Sequence, residues 1–148
     1  MISDTHGLVR PEALAALAGV DLIVHCGDVG GAAVLRALAA IAPVRAVRGN
    51  NDVGSWADEL PNDDVVEVAR RPLYLLHDLK ELSLDPRARG FVAVLSGHSH
   101  RPRIEERDGV LFLNPGSAGP RRFKLPVSLA RLSVGARRCE AKLVDLAA

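Results

Sequence analysis

Polar side chains that can bind a metal ion stand directly after five short apolar segments of this chain. Four of the segments, 21–25, 43–47, 73–76 and 91–95, have the composition of buried strands, and a shorter one, 1–3, opens the sequence. Ligands of parallel-sheet proteins bind outside the carboxyl ends of the strands, where neighbouring strand ends meet. The pattern therefore predicts an α/β protein with one binding site at that edge of a sheet.

The first half of the chain alternates its strands with two helical patterns. One helix is predicted to begin at Pro11, which suits a first turn, and to end at Gly19. The other is predicted over 32–41, where the apolar residues fall on one face. The order strand, helix, strand, helix, strand indicates right-handed crossovers and a parallel sheet.

The second half of the chain is dominated by short strands, and helices are nearly absent after Ile41. We predict strands over 65–68, 73–76, 91–95, 104–107, 110–113, 127–134 and 139–146. Asp108-Gly109 is a strong hairpin-turn signal, a turn is expected near 86–89, and the polar stretch 51–64 is interpreted as a surface loop near the mouth of the site. The simplest architecture is a single domain over 1–148, with two sheets packed face to face and helices outside.

Composition and charge exclude several classes of partner. The length of 148 residues suits one domain, and 19 basic against 18 acidic residues leave a net charge of +1. Neither duplex DNA nor an anionic membrane is an expected partner of so neutral a chain. Aromatic residues make up only 3%, so a base-stacking platform for single-stranded nucleic acid is not expected.

The two cysteines, Cys26 and Cys139, do not indicate a disulfide framework. Cys26 lies in an apolar run and is interpreted as a buried free thiol, which fits a reducing compartment. Neither a signal peptide nor a membrane-spanning stretch is recognised, so we expect a cytoplasmic protein.

The first strand is unusually short. Only three residues precede Asp4, whereas a central parallel strand normally runs about 5–6 residues. We expect either a strand that is cut short here or a natural start that lies upstream, and intact-mass analysis of protein from its native source decides between the two.

Two pairs of candidate metal ligands share a two-residue spacing. Asp4 and His6 stand at the end of the first predicted strand, where residues two apart point to the same side. His98 and His100 repeat the spacing after another strand, with Gly97 allowing a sharp turn. A carboxylate and an imidazole, or two imidazoles, can then meet one metal ion.

Three further candidates follow other strands, which brings the set to seven. They are Asp28, Asn50 and His77. Seven ligands are too many for one ion and suit two ions with a shared bridge, for which Asp28 is the natural choice because a carboxylate has two oxygens. Mixed oxygen and nitrogen ligands favour manganese, iron, zinc or cobalt over calcium. Two such ions about 3.5–4 Å apart can hold a phosphate ester for in-line displacement.

The ordered set of short motifs resembles the calcineurin-like metallophosphoesterase superfamily, and within it the small YfcE-like phosphodiesterases of bacteria and archaea. The resemblance spans nearly the whole chain and rests on the order and spacing of the motifs. The motifs are D-T-H-G at 4–7, G-D at 27–28, G-N-N-D at 49–52, H at 77, G-H-S-H at 97–100 and N-P-G-S at 114–117.

The resemblance implies a fold, a reaction and a role for each ligand. The implied fold is a four-layer α/β/β/α sandwich of two mixed sheets with outer helices. The implied reaction is hydrolysis of a phosphodiester or monoester by hydroxide bridging two metal ions, commonly manganese, without a covalent intermediate. The implied ligands are Asp4, His6 and His100 for the first metal, Asn50, His77 and His98 for the second, and Asp28 for both.

Two residues depart from the family pattern. Many members have histidine where this chain has Asn51, which can hydrogen-bond a substrate but cannot act as a general acid near pH 7. We therefore predict a preference for phosphodiesters with acidic leaving groups. Asp78 stands where glycine often follows the metal-binding histidine, and either orients His77 or turns the chain.

Several residues and functions are left open by the sequence. His25 is interpreted as a core or supporting residue rather than a ligand, and Asp52 as a supporting acceptor or a turn residue. Arg121 and Arg122 either reach a substrate phosphate or lie on the surface, and the turn 114–116 is expected to support the site. The expected partner is a small phosphate ester, with a homo-oligomer left open.

Two rival functions are weighed against hydrolysis of a small ester. One is a non-catalytic interaction scaffold on the same fold, as in the retromer subunit related to this family. Seven aligned metal-binding side chains argue against it, because a scaffold does not need them. The other is a nuclease, and the near-neutral charge disfavours extended nucleic-acid binding, although a dinucleotide substrate stays open.

Overall fold

The computed structural model describes residues 1–147 and contains short helices and nine strands within that range. The helices are α1 Pro11–Ala16, α2 Ala32–Ala39 and α3 Ser55–Asp58, with a 3₁₀ turn at Leu79–Glu81. The strands are β1 Ile23–His25, β2 Val44–Ala46, β3 Asp63–Val68, β4 Arg71–Leu76, β5 Ala93–Leu95, β6 Arg103–Arg107, β7 Val110–Asn114, β8 Ser128–Val134 and β9 Cys139–Asp145. No helix within 1–147 has both the length and the apolar character needed to cross a membrane.

The two predicted helices of the first half are present with shorter bounds. Pro11 occupies the first turn of α1, where its missing N–H has no helical partner to lose. In α2 the inward face carries Val34 and Leu38, both buried, while Arg36 is exposed. This one-sided burial fixes α2 against a sheet.

Five strands form a mixed sheet in the order β3-β4-β5-β7-β6. β4, β5 and β7 run parallel in its centre, and β3 and β6 pair antiparallel at its two edges. The predicted hairpin between β6 and β7 is confirmed, because Asp108 and Gly109 both have positive φ, of 51° and 79°.

A second layer is assembled around the start of the chain. β1 pairs with β2 in parallel, and β8 pairs with β9 antiparallel. The segment 1–3 lies between the two pairs: Ile2 bridges His25 in parallel, and Met1 and Ala130 exchange two backbone hydrogen bonds of 2.8 and 3.0 Å. This short segment therefore joins both pairs into one layer, and Asp4 follows it directly.

Alternate residues of each strand face different cores. In β4 and β5, Leu75 and Leu95 point toward the layer of β1 and β8, whereas Tyr74 and Val94 point away from it. The other face of the second layer, including Ile23, packs against α1 and α2. The layer order is thus helices, sheet, sheet, and an outer covering, which is the arrangement that a two-sheet α/β protein needs to bury both apolar faces.

Two sequence-based predictions are wrong. The stretch 51–64 is not only a loop: it contains α3, whose Trp56 packs on the core, and β3 begins at Asp63. The outer covering of the five-stranded sheet is not a helix layer within 1–147, but the 3₁₀ turn and the segment after it, which place Leu79 and Leu82 on the sheet. Neither short element has the long periodic pattern that identifies a helix in a sequence.

Candidate metal centre

Five of the seven predicted ligands have left-handed backbone conformations, which are uncommon for residues other than glycine. They are Asp4, His6, Asp28, His98 and His100, with φ between 47° and 69°. Each such conformation costs on the order of 1–3 kcal/mol and persists only where surrounding contacts impose it. The chain therefore turns sharply just beyond each strand, and these turns, rather than the alternation along an extended strand, bring the paired ligands together.

Asp4, His6 and His100 form one donor set. The Nε2 atoms of the two histidines lie 3.4 Å apart, and Asp4 Oδ1 lies 3.4 Å from His100 Nε2 and 3.9 Å from His6 Nε2. Asp4 Oδ2 accepts from the Ser3 hydroxyl and the His98 backbone N–H, at 2.7 and 3.0 Å. Asp4 Oδ1 and His100 Nδ1 are buried with no hydrogen-bond partner within 1–147. One carboxylate oxygen is thus anchored, and the other is free to bind a cation.

Asn50, His77 and His98 form the second donor set. Asn50 Oδ1 lies 2.9 Å from His77 Nε2 and 3.2 Å from His98 Nδ1, and the two nitrogens are 3.2 Å apart. His77 Nδ1 lies 2.7 Å from the carbonyl oxygen of Cys26, to which only a protonated nitrogen can donate, so in neutral His77 Nε2 carries the lone pair. In that tautomer the lone pair of His77 Nε2 faces Asn50 Oδ1, an arrangement that a positive charge between the two atoms would stabilise.

Asp28 lies between the two sets. Its Oδ2 is 3.3 Å from His77 Nε2 and 3.8 Å from His6 Nε2, which is the placement expected of a bridging carboxylate. Asn51 donates to it twice, from its backbone N–H to Oδ1 at 2.9 Å and from its side chain to Oδ2 at 3.0 Å. The amide predicted to bind substrate thus holds Asp28, and its contact with a substrate stays a prediction.

The electrostatics keep the carboxylates ionised. Burial opposes the charge of Asp28, but hydrogen bonds from His77 and Asn51 prevail and hold the pKa of Asp28 well below its usual range. The pKa of Asp4 is lowered in the same way, since contacts with His100 and Ser3 outweigh its burial. For His77, burial is outweighed by the neighbouring Asp28 carboxylate and the Cys26 carbonyl, and its pKa is raised. A proton at His77 therefore competes with a cation for the same position.

The donor sets fit two metal ions. Oxygen and nitrogen ligands that each lie about 2.0–2.2 Å from one ion are about 3 Å from one another. The contacts among Asp28, Asn50, His77 and His98 span 2.9 to 3.3 Å, and those of His100 with Asp4 and His6 are 3.4 Å. Because Asn50 and His98 are exposed while Asp4 and His100 are buried, the site opens to solvent on one side.

Asp78 contacts a different histidine from the one expected. Its Oδ2 lies 3.7 Å from His98 Nε2, and its Oδ1 accepts from the backbone N–H of Lys80 at 3.0 Å, which caps the 3₁₀ turn. Asp78 is therefore placed to orient His98 rather than His77, with Nδ1 of His98 turned to Asn50.

Asp52 supports both ligand-bearing loops, which decides between the two roles that the sequence left open. Its buried carboxylate accepts from the backbone N–H groups of Val29, Gly30 and Gly49, at 3.2, 3.0 and 2.8 Å. The loop that follows Asp28 is thereby tied to the loop that carries Asn50.

Asp52→Asn is expected to weaken metal binding by about 10–100-fold, the usual effect of removing a group that orients ligands. In an amide only the oxygen accepts hydrogen bonds, so at least one of the three N–H groups loses its acceptor and faces the NH₂ group instead. Titration of Mn²⁺ into metal-free protein measures the change. Asp58→Asn, an exposed carboxylate in α3, is the matched control and is expected to bind like wild type; equal affinities in all three proteins would contradict this role.

His25 supports the loop between Asp4 and His6 and is not a ligand. The Gly27 N–H donates to its Nδ1 at 3.1 Å, which identifies Nδ1 as the unprotonated nitrogen. Its Nε2 is 3.0 Å from the Thr5 hydroxyl, and Thr5 in turn donates to the Val29 carbonyl at 2.8 Å. Because His25 is fully buried, desolvation lowers its pKa to about 4.

Acid is expected to weaken the fold through His25. In the unfolded chain His25 binds a proton below its usual pKa of 6.5, whereas in the folded protein it does so only near pH 4. The free energy of unfolding therefore falls as the pH is lowered from 6.5 to 4. The loss is about 3 kcal/mol in full. Urea unfolding of metal-free wild type and His25→Asn from pH 7 to 4 measures it as a difference, in which the shared carboxylates cancel. Parallel stability curves for the two proteins would contradict it.

The N-P-G-S segment holds two ligand loops in place. Asn114 donates to the Gly97 carbonyl and to the Ser99 hydroxyl, at 2.9 and 3.1 Å, and Ser117 donates to the Asp4 carbonyl at 2.9 Å. The supporting role predicted for the turn is thus confirmed, but Ser117 and Ser3 were not identified as supporting residues. A serine beside a ligand motif is too common a feature to be recognised without the contacts.

Fold and site together define a class: an α/β protein of two packed sheets with donors for two cations at the carboxyl edge of its strands. The chain belongs to the calcineurin-like phosphoesterase superfamily, whose family model matches residues 1–137. It is 35% identical to a probable metallophosphoesterase of Methanocaldococcus jannaschii over an alignment of 159 positions, which covers 99% of this chain and 80% of that protein. The resemblance stated from the motifs is confirmed.

Solved structures confirm the metallophosphoesterase fold. An archaeal phosphodiesterase superposes with a TM-score of 0.78 at 22% identity, over 97% of this chain and 97% of that one. Vps29 from Entamoeba histolytica complexed with Zn²⁺ gives a TM-score of 0.74 at 22% identity, over 98% of this chain and 97% of that one. At these identities the likeness establishes the fold alone.

Proposed function

We propose that this chain is a single-domain phosphodiesterase that hydrolyses small phosphodiesters with two divalent cations, preferably manganese. The observation that carries the proposal is the convergence of seven acceptor side chains, among which the buried Asp4 Oδ1 has no partner within 1–147. Cations would be held by Asp4, His6 and His100 on one side and by Asn50, His77 and His98 on the other, with Asp28 shared.

Similar proteins support the proposal. One solved structure with this fold is that of an archaeal phosphodiesterase, and another, that of Vps29, was solved with Zn²⁺. We propose the four-layer sandwich as the frame, with its outer layer reduced to the 3₁₀ turn and the segment after it. Zinc, iron and cobalt have the same preference for mixed nitrogen and oxygen ligands as manganese, so the metal is a matter for experiment.

The chemistry follows from the charges of the site. Two cations bound there would lower the pKa of a bound water molecule and neutralise negative charge on the phosphate. Asp28 and Asp4 contribute negative charge and stay ionised, and Asn51 holds Asp28 in place through two hydrogen bonds. In the hydrolysis a P–O bond to water forms as the bond to the leaving group breaks.

The leaving group is expected to depart without help from a protein acid. Asn51 stands where a histidine would serve as general acid, and general acids contribute about 10²–10⁴-fold to rates. Aryl diesters should therefore be hydrolysed at least about 100-fold faster than alkyl diesters of equal charge. Initial rates on bis-p-nitrophenyl phosphate and on a dialkyl phosphate measure the ratio. Equal or faster turnover of the alkyl ester would contradict the prediction, and Asn51→His should narrow the gap.

The test of the proposed function is metal-dependent hydrolysis of bis-p-nitrophenyl phosphate. We expect little turnover by metal-free protein, turnover on addition of Mn²⁺, and loss of turnover on addition of a chelator. Repeating the titration with Zn²⁺, Co²⁺ and Fe²⁺ ranks the metals. If none of the metals gives turnover with this or other phosphate esters, the proposal fails.

A non-catalytic scaffold is the alternative, and it is supported by one structure of the same fold, Vps29 of Chaetomium thermophilum, which was solved in complex with a cyclic peptide. Substitution of the metal ligands abolishes the activity of an enzyme, whereas a scaffold has no such activity to lose and keeps its fold. Failure of every ester to react, together with unchanged folding of ligand variants, would favour the scaffold.

A further inference from the structure

A cavity of about 930 Å³ opens beside the second donor set. It shares His98 with that set and is bordered there by Asp78 and Ser99. Apolar side chains, including Phe112 and Leu125, form much of its wall. A phosphodiester held at the metal centre has two arms, and this cavity is large enough to receive one of them.

The charged residues of this cavity are mostly basic. Lys80, Arg101 and Arg103 line it, against the single acidic residue Asp78. Arg103 is paired with Glu105, but the side chains of Lys80 and Arg101 form no ion pair or hydrogen bond within 1–147. In a chain whose net charge is only +1, this excess is local and attracts an anionic group.

A second cavity of about 580 Å³ continues the first one, since the two share Arg101 and Leu125. Its other lining residues are Phe123 and Lys124. Phe123 is 88% exposed, more than any other large apolar residue within 1–147. Its backbone is left-handed, with φ of 54°, which is strained for a bulky residue. An aromatic ring kept in water beside cations is suited to stacking on a planar ligand.

Two more basic residues directly precede Phe123 in the sequence. Arg121 and Arg122 are exposed, and neither side chain forms an ion pair or hydrogen bond within 1–147. Neither is therefore committed to holding the fold together. We call the two joined cavities the side groove.

We infer that the side groove is a subsite for a nucleotide arm of the substrate. The base stacks on the ring of Phe123, and a second phosphate on that arm pairs with Arg101 and Lys124. The substrate class is thus a small phosphodiester with a nucleotide arm that carries a further phosphate, as in a dinucleotide with a terminal phosphate. This inference rests on the proposed function in one respect, namely that the reacting phosphate lies at the metal centre. Binding of the nucleotide arm in the side groove does not depend on it.

Three p-nitrophenyl diesters test the inference through one leaving group. The first is bis-p-nitrophenyl phosphate, the second is thymidine 5′-(p-nitrophenyl phosphate), and the third is the second with a 3′-phosphate added. We expect KM to fall about tenfold at each step, once for base stacking and once for the charge-assisted phosphate contact, with kcat nearly unchanged. Equal KM values for the three diesters would overturn the inference.

Variants assign each step to a residue. Phe123→Leu keeps an apolar side chain without a ring and should abolish the fall in KM between the first and the second diester. Phe123→Tyr keeps the ring and should retain that fall in KM. Arg101→Gln should abolish only the fall in KM between the second and the third diester. Arg36→Ala, which removes an exposed charge from α2, is the control for bulk electrostatics and should keep both steps. If Arg36→Ala lost the second step as Arg101→Gln does, the contact would not be local and the inference would fail.

A binding measurement separates this inference from the proposed function. Calorimetric titration of thymidine 3′,5′-bisphosphate into chelator-treated protein needs no metal and no turnover. We expect saturable binding to wild type that is weakened about tenfold by Phe123→Leu and by Arg101→Gln. Binding without hydrolysis of any diester would sustain the subsite while the proposed function fails. Hydrolysis of all three diesters without such binding would overturn the subsite alone.

Discussion

Replacement of Asp28 by asparagine is expected to lower kcat/KM for bis-p-nitrophenyl phosphate by at least about 1000-fold, because a bridging ligand of two cations contributes several kcal/mol. An amide offers one oxygen and no negative charge, so it cannot serve both donor sets. Its NH₂ group would also face one of the two N–H groups of Asn51 that donate to Asp28. Steady-state rates at saturating Mn²⁺ measure the loss.

The same variant is expected to bind one equivalent of metal tightly instead of two. Mass spectrometry or elemental analysis of desalted protein gives this number independently of activity. Asp21→Asn is the matched control, because Asp21 is an exposed carboxylate before β1, at the opposite end of the strand from Asp28. Full activity and two bound metals in Asp28→Asn would remove the bridging role.

Gly49→Ala is expected to abolish tight metal binding and to destabilise the fold by several kcal/mol, as overpacking of a fully constrained site does. A Cβ on Gly49 would collide with the backbone nitrogen and Oδ1 of Asp28. Neither loop can yield easily, because Asp52 ties both together through three N–H bonds. Thermal unfolding and Mn²⁺ titration measure the two effects.

Gly31→Ala is the control for this prediction. A Cβ there meets nothing within 4 Å, and the φ of 165° is extended backbone that alanine adopts freely. Because Gly31 is the N-cap of α2, alanine there should cost on the order of 1 kcal/mol at most, so the melting temperature should fall only slightly, and the metal affinity should match that of wild type. If Gly49→Ala behaved like Gly31→Ala, the close approach of the two loops would not be required for the site.

The convergence of the seven candidate ligands was predictable because it depends on residue type and on position after a strand. Each of the segments before Asp28, Asn50 and His77 is an apolar run whose alternation or length identifies a buried strand. Donor chemistry is a property of the side chain itself, so a mixture of carboxylate, amide and imidazole groups indicates candidate sites for cations. The glycines of the motifs could also be recognised from the sequence. The reason why position 49 requires glycine could not, because it depends on the close approach of Asp28.

The roles of the supporting residues were not predictable, because each depends on a contact between distant parts of the chain. Asp52 reaches Val29 and Gly30, and Ser117 reaches the carbonyl of Asp4 across 113 residues. Asp78 and Asn51 illustrate the same limit: the neighbour along the sequence is known, but the atom that each side chain contacts is not. Short elements such as α3 were missed because one turn has no periodicity to detect.

The sequence by itself determined which atoms are available to bind metal and in which order along the chain they occur. Only the tertiary structure decided how those atoms converge, through left-handed turns at Asp4, His6, Asp28, His98 and His100. Asp and His adopt this conformation more often than most residues, but it stays uncommon and cannot be located from the sequence. The physical reason is that a side chain carries its donor chemistry wherever it lies. A strained backbone turn exists only while packing and hydrogen bonds from other segments compensate its cost.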